Sequence, residues 1–327
     1  MAEPVALVTG GAGYIGSHAC KALKTAGYLP VAFDNLSTGH RDAVKWGPLV
    51  VGDVRNSAAV CRALQDHGAA LVLHFAASAY VGESVQDPAK YYDNNVGGMI
   101  SLLAGCRGAG VQNVVFSSSC ATYGVPSEIP IRETSPQNPV NPYGYTKLVC
   151  EKILDAYAPA YGMRHVSLRY FNAAGADPDG EIGERHDPET HLIPSALLAA
   201  SGRRPALELY GNDYDTPDGT CIRDYIHVSD LARAHVLAAG YLLGGGAAAA
   251  LNLGSGQPLS VRQILRAIEE ITGRPLPVID RPRRAGDPPI LCADVTRVQE
   301  VLGFQPELSD IRQIISDAVP WFGLSPG

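Results

Sequence analysis

Val5-Ala6-Leu7-Val8-Thr9-Gly10-Gly11-Ala12-Gly13-Tyr14-Ile15-Gly16-Ser17 joins an apolar run to a glycine turn and then to the start of a helix-like stretch that reaches Ala26. After a buried strand, glycines let the backbone turn sharply and approach a pyrophosphate, while the following helix offers free N–H groups and the positive end of its dipole. The motif alone is weak, and its context strengthens it. Leu29-Pro30-Val31-Ala32-Phe33 reads as a second strand ending in Asp34, roughly 20 residues on, where a ribose-binding acid belongs. That carboxylate would accept from both ribose hydroxyls and repel a 2′-phosphate, which favours NAD over NADP.

Outward from this turn, Leu49 to Val51, Leu71 to Ala76, Val111 to Ser117 and His165 to Tyr170 read as further strands. Ala58 to His67, Tyr91 to Cys106 and Tyr143 to Ala160 read as crossover helices. Such alternation predicts βαβ units: an α/β, doubly wound parallel sheet of Rossmann-like type. The pattern loosens after Asn172, with Gly, Pro and Asp clustered over 175–190 and 211–219. Helix-like stretches return at His191 to Ser201, Ser229 to Leu243, Val261 to Thr272, Thr296 to Leu302 and Asp310 to Phe322. We expect residues 1–172 to form the NAD-binding domain and 173–327 a smaller carboxyl-terminal substrate-binding domain, some of whose strands and helices return to the first.

The 327 residues carry a net charge of −7, so no basic field advertises nucleic acid or an anionic membrane. Seven cysteines without a CxxC pair suit reduced thiols. The first residues lack a basic, long-apolar leader, and Val236 to Leu253 is too glycine-broken to span a bilayer. The expectation is a cytoplasmic protein, on which the sequon Asn35-Leu36-Ser37 is accidental. No metal site is implied: His186 and His191 lack a ligand spacing with carboxylates on one helix. Asp213, Asp215 and Asp218 mimic a calcium loop but put Asp218 where glycine is required.

Tyr143 and Lys147 follow Pro142 and lie four apart, on one face of a helix's first turns. A free tyrosine titrates near ~10, and acting as a base near neutrality takes roughly 4 kcal/mol of help. One ammonium at about 4 Å supplies something like that at an effective dielectric of ~20. The run Phe116-Ser117-Ser118-Ser119 closes a strand, so Ser119 falls at the sheet's carboxyl edge, where it can relay or hold the proton.

These features together resemble the extended, sugar-nucleotide branch of the short-chain dehydrogenase/reductase family. The resemblance runs nearly end to end, through Gly52-Asp53, His74-Phe75-Ala76-Ala77, Val81-Gly82-Glu83-Ser84, Tyr92-Asp93-Asn94-Asn95-Val96, Asn141-Pro142-Tyr143-Gly144, Leu168-Arg169-Tyr170-Phe171-Asn172, Asp218 to Val228 and Arg283-Arg284-Ala285-Gly286-Asp287. It implies a cofactor site of Gly10, Gly13, Tyr14, Ile15, Gly16, Asp34, Asn35, Ser37, Asp53, Val54, Phe75, Ala76, Ala77, Asn94, Ser117, Tyr143, Lys147 and Tyr170. In that comparison Asp53 and Val54 hold the adenine, Phe75 to Ala77 line the pyrophosphate, and Tyr143 and Lys147 touch the nicotinamide ribose. For a UDP-sugar it implies Ser119, Tyr143, Phe171, Asn172, His191, Leu192, Leu209, Tyr210 near the uracil, Arg223, Arg284 and Asp287. Planar guanidinium forks suit a diphosphate. The chain departs from the family between Phe75 and Gly82, where Ser78-Ala79-Tyr80 stands in place of a lysine-bearing segment. Leu291 is intermediate in bulk at a position tied to acceptance of N-acetylated sugars.

The activity implied is an isomerase's: NAD-dependent 4-epimerisation of a UDP-hexose, glucose to galactose, through a transient 4-keto sugar, in galactose metabolism. A 4,6-dehydratase needs acids beside the catalytic serine, and Cys120 and Ala121 supply none. A UDP-pentose 4-epimerase remains open. A catalytically inactive NAD sensor is a further alternative, set against the retained Tyr143 and Lys147. The resemblance also implies a homodimer, formed by helices around 91–106 and 143–160.

Overall fold

The computed structural model describes residues 3–284 and 286–325. The chain begins with β1 (Val5–Thr9), α1 (Tyr14–Thr25), β2 (Leu29–Asp34), β3 (Leu49–Val51), α2 (Ser57–His67) and β4 (Leu71–His74). There follow α3 (Val81–Gln86), α4 (Pro88–Tyr91), a π-helical segment Tyr92–Gly97, α5 (Gly98–Ala109), β5 (Asn113–Ser119), α6 (Pro142–Tyr161) and β6 (Arg164–Tyr170). Beyond them come β7 (Asn172–Ala174), α7 (Leu192–Ala200), β8 (Leu207–Tyr210), β9 (Ile222–Arg223), β10 (Tyr225–His227), α8 (Val228–Leu243) and β11 (Ala249–Leu253). The last elements are β12 (Leu259–Ser260), α9 (Val261–Thr272), β13 (Val278–Arg281), β14 (Ile290–Leu291), α10 (Thr296–Leu302) and α11 (Ile311–Ala318).

Seven strands form one sheet in the order β11-β6-β5-β4-β1-β2-β3, every neighbouring pair parallel. Buried on both faces, β4 and β5 are covered along their whole length, which is why their sequences run apolar instead of alternating. One face packs on α2 and α5 through Val60, Leu64, Leu102 and Leu103. The other packs on α1 and α8 through Leu23, Leu231 and Ala234. The strand order reverses between β1 and β4, and their carboxyl ends open the crevice where a doubly wound sheet takes its ligand. A separate core joins α7, α9 and α11 through Ile193, Leu197, Ile264, Ile268, Ile314 and Ile315. Around it lie three small sheets: β7 beside β10, β9 between β12 and β14, and β8 beside β13.

Three differences from the sequence expectation have local causes. The strand expected to run to Ala76 ends at His74, because the N–H groups of Phe75 and Ala76 both turn back to the Thr9 carbonyl. The helix expected over 91–106 is broken in its first half by the π-helical segment, where Asn95 bonds sideways to Ser78 and Thr146. Finally, β11 arises from Ala249-Ala250-Leu251-Asn252-Leu253, an alanine-rich stretch of low strand propensity that pairs with β6 through tertiary packing.

Candidate functional site

The glycine turn is built to approach something closely. Gly10 has a positive φ of 73°, and a Cβ there would sit 2.7 Å from the Ala76 nitrogen. A Cβ on Gly16 would collide with the Gly10 carbonyl. Gly13 is the N-cap of α1 and offers no side-chain cap, so the first helical N–H groups, those of Tyr14, Ile15 and Gly16, are left for an anion. Tyr14 itself turns away, donating its hydroxyl to the Gly175 carbonyl at 2.7 Å. These features fit the diphosphate of a dinucleotide.

Asp34 ends β2 beside this turn, buried, with one oxygen accepting from the Ala12 N–H at 3.0 Å and the other from the Leu36 N–H at 2.8 Å. Both oxygens are thus anchored, and their remaining lone pairs suit ribose hydroxyls. Leu36 pays for the bond with a φ of 59°, a left-handed conformation rare for leucine. Asn35 closes the loop, donating to Asp53 at 3.2 Å and accepting from the Ser37 N–H at 3.0 Å. Arg55 grips Asp53 and holds its carboxyl well below the usual range, while Val54 lies buried next to it. Ala76 and Ala77 follow β4 under the glycine turn, and Phe75 packs on His235 with ring centroids 4.6 Å apart. Asn94 projects from the π-helical segment and donates to Ser78 at 3.3 Å, so the segment that departs from the family is tied in by asparagines.

The proton-handling residues converge at the carboxyl end of β5 and the start of α6. Asn141 caps α6 by accepting from the Gly144 N–H at 2.8 Å, with Pro142 at the first helical position, and this places Tyr143 in the first turn. Tyr143 and Lys147 are both buried. Lys147 donates to the Ser117 carbonyl at 2.7 Å, and Ser117 meets the Tyr170 hydroxyl at 2.5 Å. Burial pulls the Lys147 ammonium down to about 8 and pushes the Tyr170 phenol up to about 12.

Burial drives the Tyr143 phenol above its ordinary value. The Lys147 ammonium lies 5.8 Å from the Tyr143 ring centre.

Sequence reasoning overlooked the support beneath these residues. Arg169 on β6 pairs with Glu151 on α6 at 2.6 Å, both buried, and donates to Tyr123, which bonds Asn252 on β11 at 2.7 Å. Ser118 donates to the same Glu151. The signal was present in the spacing, because Glu151 is the next step after Tyr143 and Lys147 on one helix face.

A second group of residues gathers across the crevice. The Arg284 guanidinium stacks on the Tyr210 ring at 4.0 Å, the Asp287 N–H donates to the Arg284 carbonyl, and Arg223 reaches Asp287 at 3.6 Å. Cys120, next to Ser119, is within electrostatic reach of Arg223, which links the two groups. Asn172 pairs with Tyr225 where β7 meets β10, and Leu192 opens α7. Phe171 and Leu209 are buried in apolar surroundings, and Leu291 packs with Phe171, Tyr123 and Ile131. The Tyr210 hydroxyl donates to Glu208 at 2.5 Å. Ala285 lies outside the described residues.

Asp213 and Asp218, which mimic a calcium loop, bind Arg283 and the Thr220 and Ser260 hydroxyls instead. The histidines differ from expectation. His186 and His191 come together with Glu184 and Glu189 on one loop, with Nδ1 to carboxylate distances of 3.0 Å and 2.8 Å to Glu184. Burial lowers both imidazoles, but the two carboxylates outweigh it and push them up to about 9 and about 10.

Residues 6–254 match the model of the NAD dependent epimerase/dehydratase family. The UDP-glucose 4-epimerase of Rhizobium leguminosarum bv. trifolii is 52% identical over 325 residues, 99% of each chain. The crystal structure of UDP-glucose 4-epimerase from Brucella ovis in complex with NAD superimposes with a TM-score of 0.97 at 60% identity, covering 99% of this chain and 100% of that one. That of UDP-glucose 4-epimerase from Stenotrophomonas maltophila, with bound NAD and formylated UDP-arabinopyranose, gives 0.95 at 39% identity over 98% of each.

Proposed function

The chain belongs to the NAD dependent epimerase/dehydratase family, and from that premise we propose that it inverts C4 of a UDP-hexose, interconverting UDP-glucose and UDP-galactose. The observation that carries this reading is Tyr143 and Lys147, both buried at the start of α6 beside the carboxyl end of β5, in a parallel sheet whose first turn is a glycine cradle. NAD, when bound, supplies reversible acceptance of a hydride from C4. Gly10 to Gly16 would hold its diphosphate and Asp34 one ribose, while Lys147 and Tyr143 would face the other. Tyr143 takes the proton of the sugar 4-hydroxyl as the hydride leaves, giving a 4-keto sugar, and Ser119 holds the phenol oriented. Arg223 and Arg284 grip the UDP diphosphate, so the hexose, less firmly held, turns and presents its other face. Tyr143 then returns the proton to the oxygen as hydride comes back to C4, which inverts the centre with no net redox change. Lys147, together with the positive ring of a bound cofactor, would favour the phenolate of Tyr143.

Purified holoenzyme given UDP-galactose without added NAD is expected to form UDP-glucose, read by a coupled assay. Tyr143→Phe is expected to lower kcat by about 10²–10⁴-fold, the usual worth of a positioned acid–base group. No 4-epimer from intact holoenzyme, or an unchanged rate in the variant, overturns the assignment. UDP-pentose epimerisation is a second reading, favoured by the UDP-arabinopyranose bound to the Stenotrophomonas relative, and relative rates on UDP-hexoses and UDP-pentoses decide between them.

We also propose a homodimer. Its support is the apolar surface that Tyr92, Ile100 and Tyr145 expose along the π segment, α5 and α6. A cytoplasmic setting accords with seven free cysteines, and among the described residues no helix is long and apolar enough to cross a membrane.

A further inference from the structure

The loop before α7 carries Glu184, His186, Glu189 and His191, and their four donor atoms all lie within 4.8 Å of one another. Measured pair by pair, His186 Nδ1 stands 3.0 Å from Glu184 and 3.7 Å from Glu189, while His191 Nδ1 stands 2.8 Å and 3.1 Å from the same two. The edge of a tetrahedron with metal–ligand bonds of about 2.05 Å is about 3.3 Å. We propose that these residues form a structural site for one divalent transition-metal ion, zinc by its donor set, bound through two imidazole nitrogens and two carboxylates.

Ion pairing alone accounts poorly for this convergence. Both Nδ1 atoms approach the same Glu184 oxygen, whereas independent pairs would spread over the available carboxylate oxygens. The two rings stand 5.0 Å apart. A single dication would satisfy both carboxylates while each ring binds it through a neutral Nδ1. Nearby cations are committed elsewhere: Arg185 binds Asp42 at 2.9 Å and Arg204 donates to the Glu189 backbone carbonyl. The Glu184 and Glu189 side chains are only 4% and 7% exposed, so the site is closed on the carboxylate side. Two nitrogens and two oxygens make the four-donor set of a structural centre, and imidazole with carboxylate selects zinc over magnesium or calcium.

The ion would pin the loop to the cofactor side of the crevice. The His186 ring meets Tyr14 and Tyr80 edge-on, each with centroids 6.0 Å apart, and Tyr14 opens α1 directly after the glycine turn. His191 is the N-cap of α7 and precedes Leu192, so the clamp also fixes where that helix starts.

The test uses the full-length protein stripped with a chelator and titrated with Zn²⁺, independently of epimerase turnover. We expect about one zinc per chain by elemental analysis and a rise in Tm of about 4 °C at zinc well above Kd. His186→Ala and Glu184→Gln are expected to lose at least nine-tenths of the bound zinc and the whole thermal shift, with circular dichroism reporting whether each variant is folded. Cobalt(II) in place of zinc should give the intense visible bands of a tetrahedral ion. Wild-type protein that takes up less than a tenth of an equivalent of zinc overturns the proposal. So does zinc binding unaltered in both variants, or a weak octahedral cobalt spectrum.

Discussion

Lys147 is an ammonium held where water does not reach, with the Ser117 carbonyl as its hydrogen-bond acceptor. Its pKa falls from 10.5 to about 8 on folding, so between those values the native chain binds fewer protons than the unfolded one. Stability therefore rises with pH through that window, and below about 8 the cost of the buried charge is fully present. Compared with Lys147→Met in cofactor-free protein, the wild type should gain up to about 3 kcal/mol of unfolding free energy between pH 8 and 10.5. Urea titrations at several pH values read this, and parallel curves would contradict it. At the glycine turn, Gly16→Ala drives a methyl into the Gly10 carbonyl. The variant should purify with little NAD, seen as a lower ratio of absorbance at 260 to 280 nm. Residues tied to a local motif, such as Gly10, Asp34 and Tyr143, were legible in the sequence because spacing along the chain determines their chemistry. The protonation physics was not, since the phenol's environment is set by burial that no spacing reveals. The Glu184–His191 cluster escaped for a different reason: a loop, unlike a helix, has no fixed period against which ligand spacing can be judged.

α6 shows what an element contributes beyond its residues. Its cap, Asn141, fixes the first turn that carries Tyr143, so Asn141→Ala should cost about 1 kcal/mol in stability and also lower kcat by displacing the phenol. Farther along, Glu151 neutralises Arg169 in the interior, and Glu151→Ala leaves that guanidinium unpaired, at about 3–5 kcal/mol. Denaturant midpoints for the two variants test the order of these effects. The start of α6 was readable from Pro142 before Tyr143, while the Ser260 and Gln263 capping box that starts α9 emerges from the structure. The π-helical segment was not, because its sideways bonds from Asn95 depend on Ser78 and Thr146, which come from elsewhere in the chain.

In the whole molecule, the two faces of the sheet are completed by residues far apart in sequence. Leu231, Ala234, Leu251 and Leu253 lie in the same core as Val8, Leu23 and Leu73. A chain ending at Ala174 should accordingly fail to form a native sheet, bind ANS and retain no NAD. A fragment with sharp near-ultraviolet circular dichroism would disprove this. β11 was missed for the same reason: its alanines become a strand only because β6 offers an edge and α8 a covering. That late arrival bears on how the protein is made. During translation, β6 is complete at Tyr170 but its outer partner ends at Leu253, 83 residues later (253 − 170). At about 5–20 residues per second, the ribosome leaves a bare apolar strand edge waiting for roughly 4–17 s. In that interval the nascent chain is open to pairing with its neighbours on a polysome, so slow codons between 171 and 253 would favour insoluble product over finished enzyme.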